Sequence, residues 1–342
     1  MRKRAFAALL IAVLGASSGC AESAPAAGAV ASRVALRPAG GGLTDALIDS
    51  LDHVGDVAWD GSHLVLTDVR SHRLLQLSPG RGGMLQGRRG QGPAEFAFPL
   101  YADARGDRII VGDQGNGRFQ EFDRAGHLVR VINAPFPVRH FVIESDTTVL
   151  AALADSVWYL ARLFPSGQWE PVARRPAVGV RGGVASNGRG DHLVAIADSG
   201  RIAVFDQALG QLQLYSAGGE YQGATSLPGD IASSLAQTGD EQRAVMEKRF
   251  GQVLSAPTIK DLAGDGRGHL LLLFSADTNV GVWLDLPRGR SAVLSTDAAN
   301  GDDPFWSAVA GDVSGDSVVL VSRDGKVYVR ELGNLGLSRG QK

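Results

Sequence analysis

A short apolar strand ending in aspartate, a Gly- or Asn-bearing turn and a second strand recur along this chain at a nearly constant interval. The strand-ending aspartates are Asp68, Asp113, Asp155, Asp198, Asp277 and Asp324, separated by 45, 42, 43, 79 and 47 residues. The unit is plainest over 108–126, where Ile109, Ile110 and Val111 lead to Asp113 and the second strand carries Phe119 and Phe122. Val, Ile and Phe suit a pleated, half-buried surface, and Gly and Asn supply the positive φ of tight turns. A period near 45 residues with four short strands per unit marks propeller blades rather than helical solenoids. One small sheet exposes both faces and must pack against neighbours. Six such units satisfy each other by closing a ring. The expected fold is all-β: a six-bladed β-propeller of four-stranded antiparallel blades spanning 33–334.

Two departures from the rhythm carry further expectations. Residues 33–36 form a short strand ahead of blade one, and the tail over 335–342 offers none. The segment 34–36 is therefore expected to close the ring as the outer strand of the last blade, covering an open edge. Inner strands are expected near 57–59, 100–104, 140–144, 184, 259 and 308. The 79-residue interval carries extra chain between blades four and five. There Thr238 and Glu241 have capping-box spacing, and Met246, Phe250, Val253 and Leu254 share one helix face. An inserted helix over 228–256 is expected, seated on a face of the ring.

The first twenty residues read as an export signal rather than as part of the fold. Arg2, Lys3 and Arg4 precede an apolar run over 5–14, too short for a comfortable membrane span, and then small residues lead to Cys20. Cys20 is the only cysteine in the sequence. A cysteine directly after small residues resembles a bacterial lipobox, which implies lipid attachment at Cys20, anchoring in the cell envelope, and a flexible tether over 21–32; a simple cleaved signal is the alternative. A formal net charge of −2 gives no global pull toward nucleic acid.

Residues 87–99, GRRGQGPAEFAFP, are the most distinctive stretch. Gly87, Gly90, Gly92, Pro93, Glu95 and Phe96 resemble a glycine-rich motif of bacterial six-bladed β-propeller lipoproteins related to NHL-repeat proteins, with Ala94 where that family has glycine. The resemblance implies the fold and an envelope role, and leaves the ligand open. The backbone N–H groups beside Arg88, Arg89, Gly90 and Gln91 make this loop a candidate anion nest, against a plain inter-blade joint. The glycine order excludes a dinucleotide fingerprint.

Chemistry is sparse elsewhere. Asp68, Asp113, Asp155, Asp198 and Asp277, once per blade, invite a Ca²⁺-binding channel, yet aspartate at a strand end ordinarily bonds its own turn. Seven histidines show no metal-ligand spacing, and no nucleophile motif appears. Trp158, Trp169, Trp283 and Trp306 are either groove-lining or packed between blades. The reading that follows is a monomeric, non-enzymatic binding or scaffold propeller with no cofactor, presenting a ring face to a protein, peptide or glycan. The alternative is a metal-dependent lactonase-like or lyase-like enzyme with its site at the central channel.

Overall fold

The computed structural model describes residues 32–35, 50–78, 82–153, 157–175, 192–206, 210–225, 259–276, 279–295, 308–322 and 327–332, with a few isolated residues between them. The export signal, Cys20, most of the tether, the tail and almost all of the expected helix over 228–256 lie outside the described residues. Among the described residues no helix is long and apolar enough to cross a membrane.

The architecture is a β-propeller of four-stranded antiparallel blades, with almost no helix among the described residues. Blade one is β2 (Val54–Trp59), β3 (Leu64–Asp68), β4 (Arg73–Ser78) and β5 (Gly82–Gln86). Blade two is β6 (Pro99–Arg105), β7 (Arg108–Asp113), β8 (Arg118–Phe122) and β9 (Leu128–Asn133). In blade three, β10 (Phe141–Ile143), β11 (Val149–Ala152), β12 (Trp158–Leu163) and β13 (Trp169–Arg174) follow. Blade four holds β14 (His192–Ile196), β15 (Ile202–Asp206), β16 (Gln211–Tyr215) and β17 (Tyr221–Thr225). Blade five holds β18 (Ile259–Gly264), β19 (His269–Ala276), β20 (Asn279–Asp285) and β21 (Arg290–Ser295). A further sheet of three described strands, β22 (Ala308–Ser314), β23 (Ser317–Ser322) and β24 (Val327–Glu331), packs between blade five and blade one.

Six complete blades were expected; among the described residues five have the full four strands. The strand meant to complete the last sheet, β1 (Ser32–Ala35), pairs instead with β21 at the outer edge of blade five. That pairing is parallel, with Ser32 opposite Ala292 and Ala35 opposite Ser295. Any outer strand offers unpaired N–H and C=O groups, so the residues of the added strand do not specify which edge receives them. A second correction concerns blade four. Its innermost strand is β14, which packs against β10 and β18, so the blade starts at His192 rather than near 184. Apolar residues such as Leu193 and Val194 look alike in a first or a second strand, and the phase is set only by packing.

The core is a set of inter-blade layers rather than one centre. The largest joins blades four and five through Phe205, Leu212, Leu262, Leu270 and Phe274. Another joins blade one to the three-stranded sheet through Leu66, Leu75, Val319 and Val321. Central strands such as β3 and β15 are buried along their whole length, so they read as continuous apolar runs.

Candidate functional site: the mouth of the central channel

The innermost strands leave a cavity of about 430 Å³ along the ring axis, with Asp56, Asp103, His140, Asp261 and Asp312 in its wall. Its rim is built from the turns after the innermost strands, with Asp60, Ser62, Arg105, Gly106, Asp265, Arg267 and Ser314, and Arg124 from the turn after β8. In a four-stranded meander the turns after the first and third strands lie on one face of the ring. The cavity opens on that face.

The wall carboxylates share one arrangement. In each, one oxygen accepts the N–H of the following residue: Val57 on Asp56 and Leu262 on Asp261, both at 2.8 Å, Ala104 on Asp103 at 2.8 Å, and Val313 on Asp312 at 2.7 Å. The other oxygen crosses to the next sheet. Asp56 takes the N–H of Ala102 at 2.9 Å, Asp103 that of Ile143, Asp261 that of Gly311 at 2.9 Å, and Asp312 that of Trp59 at 2.6 Å. Blade three uses His140, whose Nδ1 accepts the N–H of Val194 at 3.3 Å. With Nδ1 accepting, Nε2 carries the proton and meets Asp261 Oδ1 at 3.1 Å. At the boundary between blades four and five the described bonds are backbone ones, Gly266 N–H to Ile196 O at 3.2 Å and Gly268 N–H to Ala197 O at 2.7 Å. Irregular register in β2, β6, β18 and β22, where each pairs with its neighbour, accompanies these inward-turned side chains.

Burial along the narrow axis disfavours charge on Asp56, Asp103 and Asp312. Burial, then the charge on Asp261, holds Asp56 well above the usual carboxylate range. Burial, then Asp103 and Asp261, does the same to Asp312, and burial raises Asp103. The Tyr101 hydroxyl is pushed up to about 12 by burial and by Asp56. At the rim the opposite holds for Asp60: hydrogen bonds from His63 and Ser62, with the Arg124 guanidinium alongside, outweigh its burial and keep it below its ordinary value. Arg105 is tied to Ile143 O and Glu144 O at 3.2 and 2.8 Å, while Arg267 stands exposed.

These wall residues were not singled out in the sequence, although a signal existed. Asp56 and Asp60, Asp103 and Asp107, Asp261 and Asp265, Asp312 and Asp316 form a repeated Asp-x-x-x-Asp, in four of the six sheets. The first lies in the channel wall. The second begins the following turn, as where Asp60 Oδ1 accepts the N–H groups of Ser62 and His63.

Of the aspartates that the sequence did single out, Asp68, Asp113 and Asp155 lie away from the axis, and Asp198 sits on the mouth face, where its backbone bridges Arg267. Asp68 accepts N–H groups from Asp52, His53 and Ser71 and pairs with Arg73 at 2.7 Å. Asp113 accepts the Ala97 N–H and pairs with Arg118 at 2.9 Å. Asp155 caps the N–H groups of Val157 and Trp158. Asp198, in the hairpin between β14 and β15, pairs with Arg201, and Asp277 lies outside the described residues. Among the described residues no group of three or more His, Cys, Asp or Glu side chains is placed to hold a metal ion. The wall oxygens are already taken by backbone N–H groups, so the donor set does not fit a bound Ca²⁺.

The loop over 87–99 lies on the opposite face from the cavity mouth. Arg118, buried beneath it, donates to the carbonyls of Gln91, Gly92 and Glu95 at 2.7–2.9 Å. Asn116 donates to Gly90 O at 2.8 Å. The Gly92 N–H meets the Glu95 carboxylate at 2.8 Å, and Arg88 pairs with the same carboxylate at 2.7 Å. Glu95 thus occupies the position an external anion would take, and Gly90 donates its N–H to Phe96 O at 3.1 Å. Arg89 and Gln91 have exposed side chains. Of the tryptophans, Trp283 is fully buried and stacked on His269, while Trp169 is 46% exposed and edge-on to Phe136.

No protein-family model matches the sequence, and comparison with curated proteins finds no relative. Solved structures do show the same fold. A gluconolactonase from Xanthomonas campestris is 12% identical, with a TM-score of 0.52 over 88% of this chain and 98% of its own. Virginiamycin B lyase from Staphylococcus aureus is 9% identical, with a TM-score of 0.50 over 81% and 79%. Hydrazine synthase from Kuenenia stuttgartiensis is 14% identical, with a TM-score of 0.50 over 86% and 81%. Identities this low establish the β-propeller fold and nothing about the reaction or the ligand.

Proposed function

We propose that this chain is an envelope-anchored, non-enzymatic binding propeller, attached through Cys20, that receives a protein, peptide or glycan at the mouth of its central channel. The observation that carries this reading is the state of the wall carboxylates. Both oxygens of Asp56, Asp103, Asp261 and Asp312 accept backbone N–H groups, so the acids build a fixed polar recess. Sites on rigid frames with polar rims suit recognition. The ring is read as six sheets, the three-stranded one serving as the sixth blade.

The test is capture of envelope components by the immobilised domain and by two variants, Trp59→Ala in the lining of the cavity and Arg267→Glu at its rim. Components retained by the native domain are expected to be lost or reduced several-fold in both variants. Identical retention by all three proteins would refute a site at the channel mouth.

A second reading, a lactonase-like or lyase-like enzyme, draws on two of the fold neighbours and on the acid-lined channel. It would need a divalent ion such as Ca²⁺, which the present donor geometry does not favour. Elemental analysis of the purified protein decides: a stoichiometric divalent ion, lost on Asp56→Asn, would reverse the ranking.

A further inference from the structure

We propose that the face of the ring carrying the channel mouth is the face turned toward the bilayer. This rests on the reading of Cys20 as the lipid anchor and adds an orientation to it. The argument is topological. Strand β1 runs parallel to β21, and its first residue, Ser32, lies opposite Ala292, close to where β21 begins. Strand β21 begins at the turn over 286–289, which follows a third strand and so belongs to the same face as the turns that rim the cavity. The chain entering β1 from residue 31 therefore comes from the mouth side of blade five. An antiparallel pairing on the same edge would have brought it from the other side.

The length of the tether makes this direction matter. Cys20 and Ser32 are twelve residues apart, about 40 Å if fully extended. A flexible chain of that length averages about 20 Å end to end. A six-residue strand is itself about 20 Å deep. With the mouth face toward the membrane, an unstretched tether reaches the surface. Turning the other face inward would make the tether run the depth of blade five before it met the bilayer, which uses up its whole average span and half of its full reach. Exposed Arg267, on a blade-five turn at this face, would meet anionic headgroups in the first orientation. A ligand would then reach the recess from the membrane side, along the surface, rather than from open solvent.

The experiment uses the full lipidated chain in vesicles containing nitroxide-headgroup lipid. Cys20 is the only cysteine, and lipidation consumes its thiol, so single fluorophores can be placed at Ser62→Cys on the mouth face or Arg70→Cys on the opposite face. Both sites are exposed turns, and an unchanged circular dichroism spectrum checks the fold. The Ser62→Cys label is expected to be quenched several-fold more strongly than the Arg70→Cys label. Equal quenching, or stronger quenching at Arg70→Cys, in protein that floats with the vesicles would overturn the orientation while sparing the anchor. If the native protein fails to float, the anchor reading falls and the orientation with it.

Discussion

Asp56 Oδ2 accepts the backbone N–H of Ala102 at 2.9 Å, so an acidic side chain on β2 holds the innermost strand of the next blade. The same crossing bond recurs from Asp103 to Ile143, from Asp261 to Gly311 and from Asp312 to Trp59. Ring closure is thus a polar matter along the axis and an apolar one between the blades. The axis is where a defect should be felt by two sheets at once.

Replacing Asp56 by Ala leaves the N–H groups of Val57 and Ala102 buried without an acceptor. Each such group costs about 1–3 kcal/mol, so Asp56→Ala is expected to destabilise by about 2–4 kcal/mol in urea titration. Asp56→Asn keeps one acceptor oxygen and should lose about half as much. Equal stability of native protein and Asp56→Ala would show that the crossing bond contributes nothing.

The wall acids also fix a direction of pH dependence. Asp56 and Asp312 titrate well above 3.8 in the folded chain, because burial and neighbouring carboxylates disfavour their charge. Between the unfolded value and the raised folded value the native state binds more protons than the unfolded one. Stability from these groups is therefore present at low pH and declines as pH rises through the folded values. Asp56→Asn removes one proton site, and neutralises a neighbour of Asp261. Its stability is expected to fall less steeply than that of the native protein as pH is raised above about 4, followed by urea midpoints at successive pH values. Parallel slopes for the two proteins would contradict the assignment.

Arg118 concentrates much of the order of the loop over 87–99. It is 9% exposed, pairs with fully buried Asp113, and holds three loop carbonyls. Arg118→Met should cost about 3–5 kcal/mol, since removing one partner of a buried pair leaves the other uncompensated. Limited proteolysis is expected to cut near Arg88 and Arg89 in the variant and not in the native protein. A variant that resists cleavage there would mean that Glu95 and Asn116 suffice.

What the sequence made legible was local. Strand runs such as 109–111 and turn glycines announce themselves, since Gly126 at φ +81° and Gly210 at φ +62° sit in the left-handed region. The turn role of Asp155 could be read from its neighbours alone. The channel wall could not be read this way, because Asp56 and Asp261 lie in strands, where aspartate is disfavoured, and their partners are 46 and 50 residues away. A bond of that span has no local signature, although the Asp-x-x-x-Asp recurrence was in view. The destination of β1 was hidden for a related reason: a parallel edge pairing depends on which outer strand is near. Blade four lost its phase because β14 and a second strand are equally apolar.

The boundary between blades four and five gives the sharpest test of how the ring is joined. No side chain among those described there takes the place of the aspartates; instead Gly266 and Gly268 donate to Ile196 and Ala197. Such backbone contact needs the two strands to approach closely, and Gly264 permits it. A Cβ at Gly264 would lie 2.4 Å from Ile196 O and 2.9 Å from a Leu270 methyl. The carbonyl belongs to a strand that is itself paired, so it cannot swing aside, and the blades must separate. Gly264→Ala is expected to cost about 1–3 kcal/mol and to speed amide exchange at Gly266 and Gly268. The control is Gly106→Ala, at φ +59° with nothing within 4 Å of the new methyl, where only backbone strain of about 1 kcal/mol is added. Exchange at Gly266 and Gly268 should be native-like in that control. If Gly264→Ala leaves those two amides protected, the blades are held by their shared apolar layer, with Leu262 and Phe274, and the backbone bonds merely follow.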